Sequence, residues 1–406
     1  MRRKVPRLVC GALLVGALID GVARFTVGTT APSSALRTIA LGQFPRALVA
    51  DVATGHVFVA GDSAMSANKV AMLDASSGAV LNAPLVHAAP WALAVDSRHG
   101  HVFVADAGVP GVSVIDTRTG ALVRTVPLAG APNAIAVDAR AARVFVTGNN
   151  QAGFMSVLDA RTGAMLHQYA SHAGSHLLVA DETIGRMFVT NGDYTIDMLN
   201  STTGVRMRTT GLGGTPRAIA ADAFQGRVFV ATTLAVDVFD AATGALVRTI
   251  SLGGVPNGMA VDRWTGHVFV TMSIKGKPGR VSMLDPQSGR VLRTVTVGQD
   301  PSMVTVAERT RRVVVTNLGG HSVSVLDART ARVLRSIDLG TAPLAAVVAD
   351  STAEHIVVST FGDEQGRPHP SWWQHYPSWW QHWLPWIPTQ AAYAQRADGA
   401  VSILTL

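Results

Sequence analysis

The phrase Asp-x-x-(Thr/Ser)-Gly recurs along this chain and constrains its fold more than any other feature. It starts at Asp74, Asp116, Asp159, Asp240 and Asp285, with variants at Asn200 and Asp327. Each phrase separates two alternating strands, because Asp accepts hydrogen bonds from turn N–H groups and Gly adopts a positive φ. A regular repeat of this length predicts one supersecondary unit that is copied along the chain.

Two more strands complete the repeat. One begins at a proline and ends at an aspartate, as from Pro90 to Asp96, and the next is a Val-Phe-Val block such as residues 102–105. The 39 glycines, 19 prolines and 48% hydrophobic residues suit short strands and tight turns. Four short strands per repeat predict the blade of an all-β propeller, with a solenoid as the alternative. The strand-ending aspartates are expected to cap turns rather than bind metal: Asp51, Asp96, Asp138, Asp222 and Asp262.

The number of inner strands predicts eight four-stranded blades. Proline-headed strands, or their equivalents, begin near residues 45, 90, 132, 175, 216, 256, 301 and 343. The last repeat lacks an outer strand, whereas residues 36–41 match the outer-strand pattern of residues 247–252. We therefore expect the N-terminal strand 36–41 to pair with 400–405 and close the last blade, so that the β-propeller spans residues 36–406. Seven blades are the alternative.

Two segments resemble the Tyr-Val-Thr-Asn (YVTN) β-propeller repeat. They are Arg-Met-Phe-Val-Thr-Asn at residues 186–191 and Arg-Val-Val-Val-Thr-Asn at residues 312–317. The resemblance covers about residues 36–406 and implies an exported bacterial propeller, since proteins of this family are typically extracytoplasmic. Relatives include surface-layer proteins and the propellers of quinoprotein and haem-d1 enzymes, so the resemblance implies a fold more than an activity. Seven blades are common in the family, whereas these repeats predict eight.

The N-terminus predicts export. Basic residues at the start of the chain precede an apolar run over residues 8–19, and small residues follow it. This pattern predicts a signal peptide over residues 1–23, with an uncleaved N-terminal anchor as the alternative. The only cysteine, Cys10, lies inside this segment, so the mature chain is expected to have no disulfide, thiolate metal site or covalent c-type haem. We expect an extracytoplasmic protein that is secreted, periplasmic or at the cell surface.

The charge distribution does not favour a nucleic-acid partner. The formal net charge is +7, and part of the basic excess lies in residues 1–23. The remaining Lys and Arg residues are spread along the sequence rather than clustered, so we expect no nucleic-acid binding.

A Trp- and Pro-rich insertion over residues 361–398 interrupts blade eight between its second and third strands. It contains six of the chain's 8 tryptophans: Trp372, Trp373, Trp379, Trp380, Trp383 and Trp386. Because tryptophan is enriched at interface hot spots, we predict that the insertion docks a partner. A loop packed on the propeller, a carbohydrate platform and weak membrane-surface contact are the alternatives. The spacing of His369, His375 and His382 fits no standard metal site.

One inner-strand position varies in chemistry while its neighbours stay regular. It follows the strand-heading proline or its equivalent, and holds Arg46, Trp91, Asn133, His176, Arg217, Asn257, Ser302 and Leu344. Most of these residues are polar, although core packing favours apolar ones. We predict a ligand site at the channel mouth from Arg46, Trp91, Asn133, His176, Arg217 and Asn257. Arg46 and Arg217 fall in opposite blades and suit an extended anionic ligand, because guanidinium binds carboxylate or phosphate through charge-assisted bonds.

The leading functional hypothesis is an exported, non-catalytic propeller that serves as a binding scaffold for a protein or a cell-surface polymer. We predict no catalytic residue, metal or cofactor, because the sequence lacks the common motifs for haem attachment, hydrolase nucleophiles, zinc and phosphate loops. The alternative is a propeller enzyme, either a lactonase-like metal-dependent hydrolase or a quinone-dependent oxidoreductase. Its metal-holding candidates are Asp106, Asn149, Asn191 and Asn317, which turn structure also explains. The oligomeric state is left open.

Overall fold

The computed structural model describes residues 36–41, 44–62, 69–86, 89–149, 153–172, 174, 177–274, 276–348, 355–361 and 400–405. These residues form strands, numbered β1 to β32 in chain order, and the turns between them. This part of the chain contains no helix, and therefore none with the length and apolar character needed to cross a membrane. The predicted signal peptide (residues 1–23) and residues 362–399 of the insertion lie outside the described residues.

The strands form eight antiparallel four-stranded sheets, which confirms the predicted all-β propeller of eight blades. The inner strands of blades one to eight are β2 (Phe44–Asp51), β6 (Pro90–Asp96), β10 (Ala131–Asp138), β14 (Leu177–Asp181), β18 (Pro216–Asp222), β22 (Val255–Val261), β26 (Pro301–Ala307) and β30 (Ala342–Val348). The second strands are β3 (His56–Asp62), β7 (His101–Asp106), β11 (Arg143–Asn149), β15 (Arg186–Thr190), β19 (Arg227–Thr232), β23 (Val268–Ser273), β27 (Arg312–Asn317) and β31 (His355–Phe361). The third strands are β4 (Lys69–Asp74), β8 (Gly111–Asp116), β12 (Phe154–Asp159), β16 (Thr195–Asn200), β20 (Val236–Asp240), β24 (Arg280–Leu284), β28 (Ser322–Asp327) and β32 (Ala400–Thr405). The outer strands are β5 (Val80–Asn82), β9 (Leu122–Pro127), β13 (Met165–Ala170), β17 (Arg206–Gly211), β21 (Leu246–Ile250), β25 (Val291–Thr296), β29 (Val333–Asp338) and, in blade eight, β1 (Arg37–Ala40).

The N-terminal strand β1 closes the ring. It pairs with β32, with Thr38 opposite Ser402 and Ile39 opposite Val401. Ile39 also packs against the core between blades eight and one. The predicted pairing of the N-terminal strand with residues 400–405 is therefore confirmed, and the ring has no open end.

The core of the propeller lies between blades, in eight apolar clusters that each join two neighbours. Six second strands carry a buried phenylalanine at the same position: Phe58, Phe103, Phe145, Phe188, Phe229 and Phe269. Each faces the following blade, as where Phe103 packs with Val144 and Val146 of blade three. Because burying such a side chain contributes about 1.5–3 kcal/mol, the seams between blades hold the ring together.

Buried aspartates end most inner strands and cap the turns that follow. Asp51, Asp96, Asp138, Asp181, Asp222 and Asp262 are all buried. The Asp96 carboxylate accepts hydrogen bonds from the N–H groups of Arg98 (3.0 Å) and His99 (3.1 Å). Asp222 accepts from the N–H groups of Phe224 and Gln225, both at 3.0 Å. These bonds give the aspartates the turn-capping role that their place in the repeat predicts.

The two faces of the ring carry different connections, because consecutive strands of a blade are antiparallel. We call one the turn face; it holds the tight turns such as residues 97–100 and 117–121. We call the other the loop face; it holds the connections such as residues 107–110 and 128–130. Each inner strand begins at the loop face, and the channel mouth is the loop-face end of the eight inner strands.

Candidate functional site

A β-bulge interrupts the inner strands at the channel mouth. In β6 the register passes from Pro90, opposite Asp106, to Ala92, opposite Ala105, so that Trp91 is skipped. The same shift falls at Arg46, Asn133, Arg217 and Leu344, and a wider one includes Asn257 and Ser302. A bulge turns a side chain out of the regular alternation of a strand. The repeat therefore uses one backbone irregularity to place a variable side chain at the mouth in blade after blade.

Blades one and two contribute a stacked pair at the mouth. The Arg46 guanidinium carbon lies 5.2 Å from the centre of the Trp91 ring. Arg46 is half-buried, and Trp91 is 36% exposed. A guanidinium above an indole face is attracted by the ring quadrupole, which contributes about 0.5–1 kcal/mol at an exposed site. The stack holds a cationic group at the mouth and leaves part of the indole surface open to a ligand.

Blades five, six and seven are joined by a polar chain that begins at Arg217. Its Nη1 donates to Asn257 Oδ1 at 2.6 Å. Asn257 Nδ2 in turn donates to Ser273 Oγ at 2.7 Å and to the Pro301 carbonyl at 3.0 Å. Burial lowers the pKa of Arg217 to about 10, so the side chain stays cationic at neutral pH. These hydrogen bonds hold the Arg217 side chain in one position, and such preorganisation favours binding.

The predicted mouth residues thus fall into two connected groups. Arg46 with Trp91 and Arg217 with Asn257 lie in blades one, two, five and six, and blades one and five are opposite each other in a ring of eight. Asn133 occupies the equivalent bulge of blade three and is half-buried. His176 and the six insertion tryptophans, Trp372, Trp373, Trp379, Trp380, Trp383 and Trp386, lie outside the described residues, so their roles stay predictions.

Three of the four metal-holding candidates of the enzyme alternative, Asp106, Asn191 and Asn317, make hydrogen bonds within their own blades. Asp106 Oδ2 accepts from Ser113 Oγ at 2.6 Å. Asn191 Nδ2 donates to Thr195 Oγ1 at 3.0 Å, and Asn317 Nδ2 donates to Ser324 Oγ at 3.0 Å; Asn149 ends β11. Within the described ranges, no three His, Cys, Asp or Glu side chains are grouped as a metal site. Each of these bonds has its partner in the third strand of the same blade.

Sequence reasoning missed two exposed aromatic side chains on the turn face. Phe224 and Trp264 are 87% and 70% exposed. Each lies two residues after the capping aspartate of its blade, where blades two and three have Arg98 and Arg140. An alignment of the repeats would have revealed both, because this turn position is solvated and gives an aromatic ring no core to pack against.

Arginines distant in the sequence also come together on the turn face. Arg293, Arg311, Arg329 and Arg332 line a shallow concavity of about 490 Å³ at the seam between blades six and seven. The Asp327 carboxylate in this lining accepts from turn N–H groups and from Thr330. These basic residues are clustered in the fold because the outer strand of blade six meets two turns of blade seven at this seam.

Comparison with known proteins supports the fold without assigning a family. No family model matches the chain, and no curated protein matches it. BamB from Moraxella catarrhalis is 17% identical, with 91% of this chain and 98% of BamB covered and a TM-score of 0.60. Sqt1 from Saccharomyces cerevisiae is 14% identical, with 80% and 95% covered and a TM-score of 0.64. The dihydro-heme d1 dehydrogenase NirN in complex with DHE is 13% identical, with 80% and 73% covered and a TM-score of 0.60.

Proposed function

We propose that this chain is an exported, non-catalytic propeller that serves as a binding scaffold for an acidic partner, either a protein or a cell-surface polymer. The observation that carries the proposal is the channel mouth, where a repeated bulge presents Arg46, Trp91, Asn133 and Arg217 from four blades. A repeated frame with one variable position at the end of its strands is typical of a recognition surface.

The chemistry of the mouth favours an anionic ligand. Arg46 and Arg217 are the cationic side chains of the two connected groups; Arg46 stacks on Trp91, and Arg217 donates to Asn257. Guanidinium groups bind carboxylate and phosphate with directional, charge-assisted hydrogen bonds. Because the two arginines belong to opposite blades, we infer a ligand long enough to reach across the mouth, such as an acidic loop or an anionic chain.

The proposal of export rests on the sequence of residues 1–23, which has the order of a secretory signal. We further propose that the chain is a divergent member of the YVTN repeat family. The two segments that resemble this repeat occupy equivalent positions, since residues 186–190 form β15 and residues 312–317 form β27. Thr190, Asn191, Thr316 and Asn317 are all buried at the loop-face ends of these strands.

A binding experiment with two matched double variants tests the mouth. Arg46→Ala/Arg217→Ala removes both mouth charges, and Arg98→Ala/Arg140→Ala removes two charges from exposed positions on the turn face. Titration with an oligoglutamate peptide and with a polyuronate chain is followed by calorimetry. We expect an acidic probe to bind the wild type and the turn-face control, and to lose at least about tenfold in affinity in the mouth variant, which corresponds to 1.4 kcal/mol. Equal affinities of the two double variants for the acidic probe would contradict the proposal.

The two probes also separate the partner classes. Binding of the peptide alone supports a protein partner, and binding of the polyuronate alone supports a surface polymer. If neither probe binds the wild type at millimolar concentration, the mouth is not an anion site.

A further inference from the structure

In six of the eight blades, as the structure describes them, one arginine or asparagine side chain of the outer strand forms a hydrogen bond with the next blade. It donates to a carbonyl at or near the turn that follows the third strand of the neighbouring blade. Five such bonds come from arginine and one from asparagine: Arg37 to Ser77, Asn82 to Thr119 (2.9 Å), Arg208 to Thr243 (3.3 Å), Arg248 to Ser288, Arg293 to Thr330 (3.1 Å) and Arg335 to Thr405 (3.2 Å). We call this contact the clasp. At the seam between blades two and three, the stem of Arg124 lies against Gly163 of the neighbouring turn.

The seam between blades three and four is built differently. The repeat places His167 of β13 where the other outer strands have the clasp residue. Tyr169, two residues on, donates its hydroxyl to the Gly204 carbonyl at 2.7 Å and so covers the turn glycine. Among the described residues, the neighbouring carbonyl of Thr203, which corresponds to Thr243 and Thr330, accepts no side-chain hydrogen bond. At this seam the Tyr169 hydroxyl takes the place of the arginine or asparagine clasp, and the Thr203 carbonyl is left open to the groove.

A groove of about 490 Å³ lies at this seam. Its apolar lining includes Met155, Val189 and Leu199, which are all buried. His167 and Tyr169 are on the blade-three side. From blade four, Asp197, Thr203, Gly204 and Arg206 complete the lining. The groove has an apolar lining for an alkyl stem and a carbonyl acceptor at the place where a clasp would end.

A buried carboxylate gives the groove its polarity. Asp197 is 3% exposed; its Oδ1 accepts from Thr209 Oγ1 at 2.5 Å, and its Oδ2 lies 3.6 Å from Arg206 Nη1. In blade five the equivalent Asp237 is bonded through both oxygens, to Thr249 Oγ1 at 2.6 Å and to the Gly213 N–H at 2.9 Å. The contact of Asp197 Oδ2 with Arg206, at 3.6 Å, is therefore longer than the 2.9 Å hydrogen bond of Asp237 Oδ2 with the Gly213 N–H.

The Arg206 guanidinium beside Asp197 is half-exposed and already engaged elsewhere. Its Nη1 lies 2.8 Å from His172 Nε2, and His172 Nδ1 lies 2.8 Å from Asp193 Oδ2. The lining of the groove itself contains one carboxylate, Asp197, beside Arg206. Arg206 can remain on His172 while a second cation approaches Asp197 from the groove.

We propose that this groove binds an arginine side chain of a partner polypeptide. The same chain shows how an arginine fits such a seam, since the stems of Arg208 and Arg248 pass over the turn glycines 244 and 289 and their head groups end on a backbone carbonyl. Because Tyr169 already covers Gly204 here, an incoming arginine lays its stem beside it along the apolar lining and places its head group near Thr203 O and Asp197 Oδ2. The directional N–H groups of a planar guanidinium suit carbonyl and carboxylate acceptors, whereas the ammonium of lysine is a compact point charge. The groove lies at the outer edge of blades three and four, so this binding is separate from that at the channel mouth.

Methionine methyl NMR tests the proposal directly, because Met155 lines the groove. Wild-type protein labelled at its methionine methyl groups is titrated with the blocked peptide acetyl-Gly-Arg-Gly-amide and with its lysine counterpart, and the Met155 signal is assigned with Met155→Leu. We expect the arginine peptide to shift the Met155 signal with a dissociation constant on the order of 1 mM. The lysine peptide should bind at least about fivefold more weakly. No shift of Met155 in the wild type, or equal shifts with both peptides, would overturn the proposal.

Two further variants separate the site from a structural effect. His167→Arg places an arginine at the clasp position from within the chain and fills the groove, so the thermal midpoint should rise and the Met155 shift with peptide should vanish. Asp197→Asn keeps the hydrogen-bonding shape without the charge, and should weaken peptide binding at least about fivefold. His167→Arg/Tyr169→Val copies the other seams more fully and replaces the single variant if that variant does not fold. Unchanged peptide binding by His167→Arg, or by Asp197→Asn, would show that the arginine peptide binds elsewhere and would overturn the proposal.

Discussion

Thr38 Oγ1 and Ser402 Oγ lie 3.2 Å apart although 364 residues separate them in the chain. Their hydrogen bond joins the strand that opens the propeller to the strand that ends it. Four residue pairs stand opposite one another in this ladder, from Arg37 with Ile403 to Ala40 with Ala400. Because the contact closes the ring, the stability of every blade is linked to it through the neighbouring seams.

Deleting residues 36–41 should destabilise the whole propeller rather than blade eight alone. The deletion exposes the edge of β32 and removes Ile39 from the cluster between blades eight and one. We expect a loss of roughly 3 kcal/mol or more in the free energy of unfolding, because a strand and an apolar side chain are removed together. Thr38→Val is the matched control and should cost only about 1 kcal/mol, since it removes one hydroxyl bond. Equal denaturation midpoints for the deletion and the control would contradict this.

Replacing residues 362–399 with a four-residue Gly/Asn loop should leave the ring folded. Thr360 stands opposite Ala400, so the ends of β31 and β32 are adjacent and a short hairpin loop can join them. We expect an unchanged β-sheet circular dichroism spectrum and a single cooperative thermal transition. Loss of folding would mean that the insertion tryptophans belong to the core, and the predicted docking role would then be abandoned.

The sequence predicts the blades well because each blade is copied from a local pattern. The inner-strand proline and aspartate mark both ends of a strand, as Pro90 and Asp96 do for β6. Closure by β1 was also predictable, because its residues follow the outer-strand pattern. In the sequence, the bulge at Trp91 is visible only as a position whose residue type varies between repeats. The backbone irregularity that causes it is seen only when the strands are paired.

The groove at His167 could not have been predicted in the same way. In the sequence, a histidine in place of arginine on an outer strand looks like an ordinary surface substitution. Its structural effect depends on a backbone carbonyl of the next blade, which the sequence of one repeat does not show. The contact between Arg208 and Thr243 joins residues 35 apart and becomes evident only when blades are stacked. Side chains that act across a seam are not encoded within a single repeat.

Phe103→Ala should be among the costly substitutions in the chain. Phe103 is fully buried between blades two and three, and truncation leaves a cavity at the seam. We expect a loss of about 3–5 kcal/mol in the free energy of unfolding, measured by urea denaturation. Phe224→Ala, at a position that is 87% exposed, is the matched control and should change stability by less than about 0.5 kcal/mol. Similar losses for both variants would show that the seams do not carry the stability assigned to them.

Acid should weaken the propeller through the turns that follow the third strands. The Asp74 carboxylate accepts from the Ser77 hydroxyl at 2.6 Å, the Ser76 hydroxyl at 2.7 Å and the Ser77 N–H at 2.7 Å, and these bonds lower the pKa of Asp74 from 3.8 to about 2. The Ser288 N–H and hydroxyl likewise lower the pKa of Asp285. A carboxylate whose pKa is lowered by folding stabilises the protein above its unfolded pKa, and this contribution is lost as the pH falls towards the folded pKa.

Asp74→Asn/Asp285→Asn should therefore flatten the dependence of stability on pH between about 4 and 2. The asparagine oxygens can still accept the turn hydrogen bonds but do not titrate in this range, so wild type and variant should converge in stability as the pH falls. The effect of each site is modest, because both carboxylates are partly exposed and solvent screens them. Urea denaturation of both proteins at pH 7, 4 and 2.5 measures the difference directly. Parallel stability profiles for the two proteins across this range would show that these turns do not contribute to acid sensitivity.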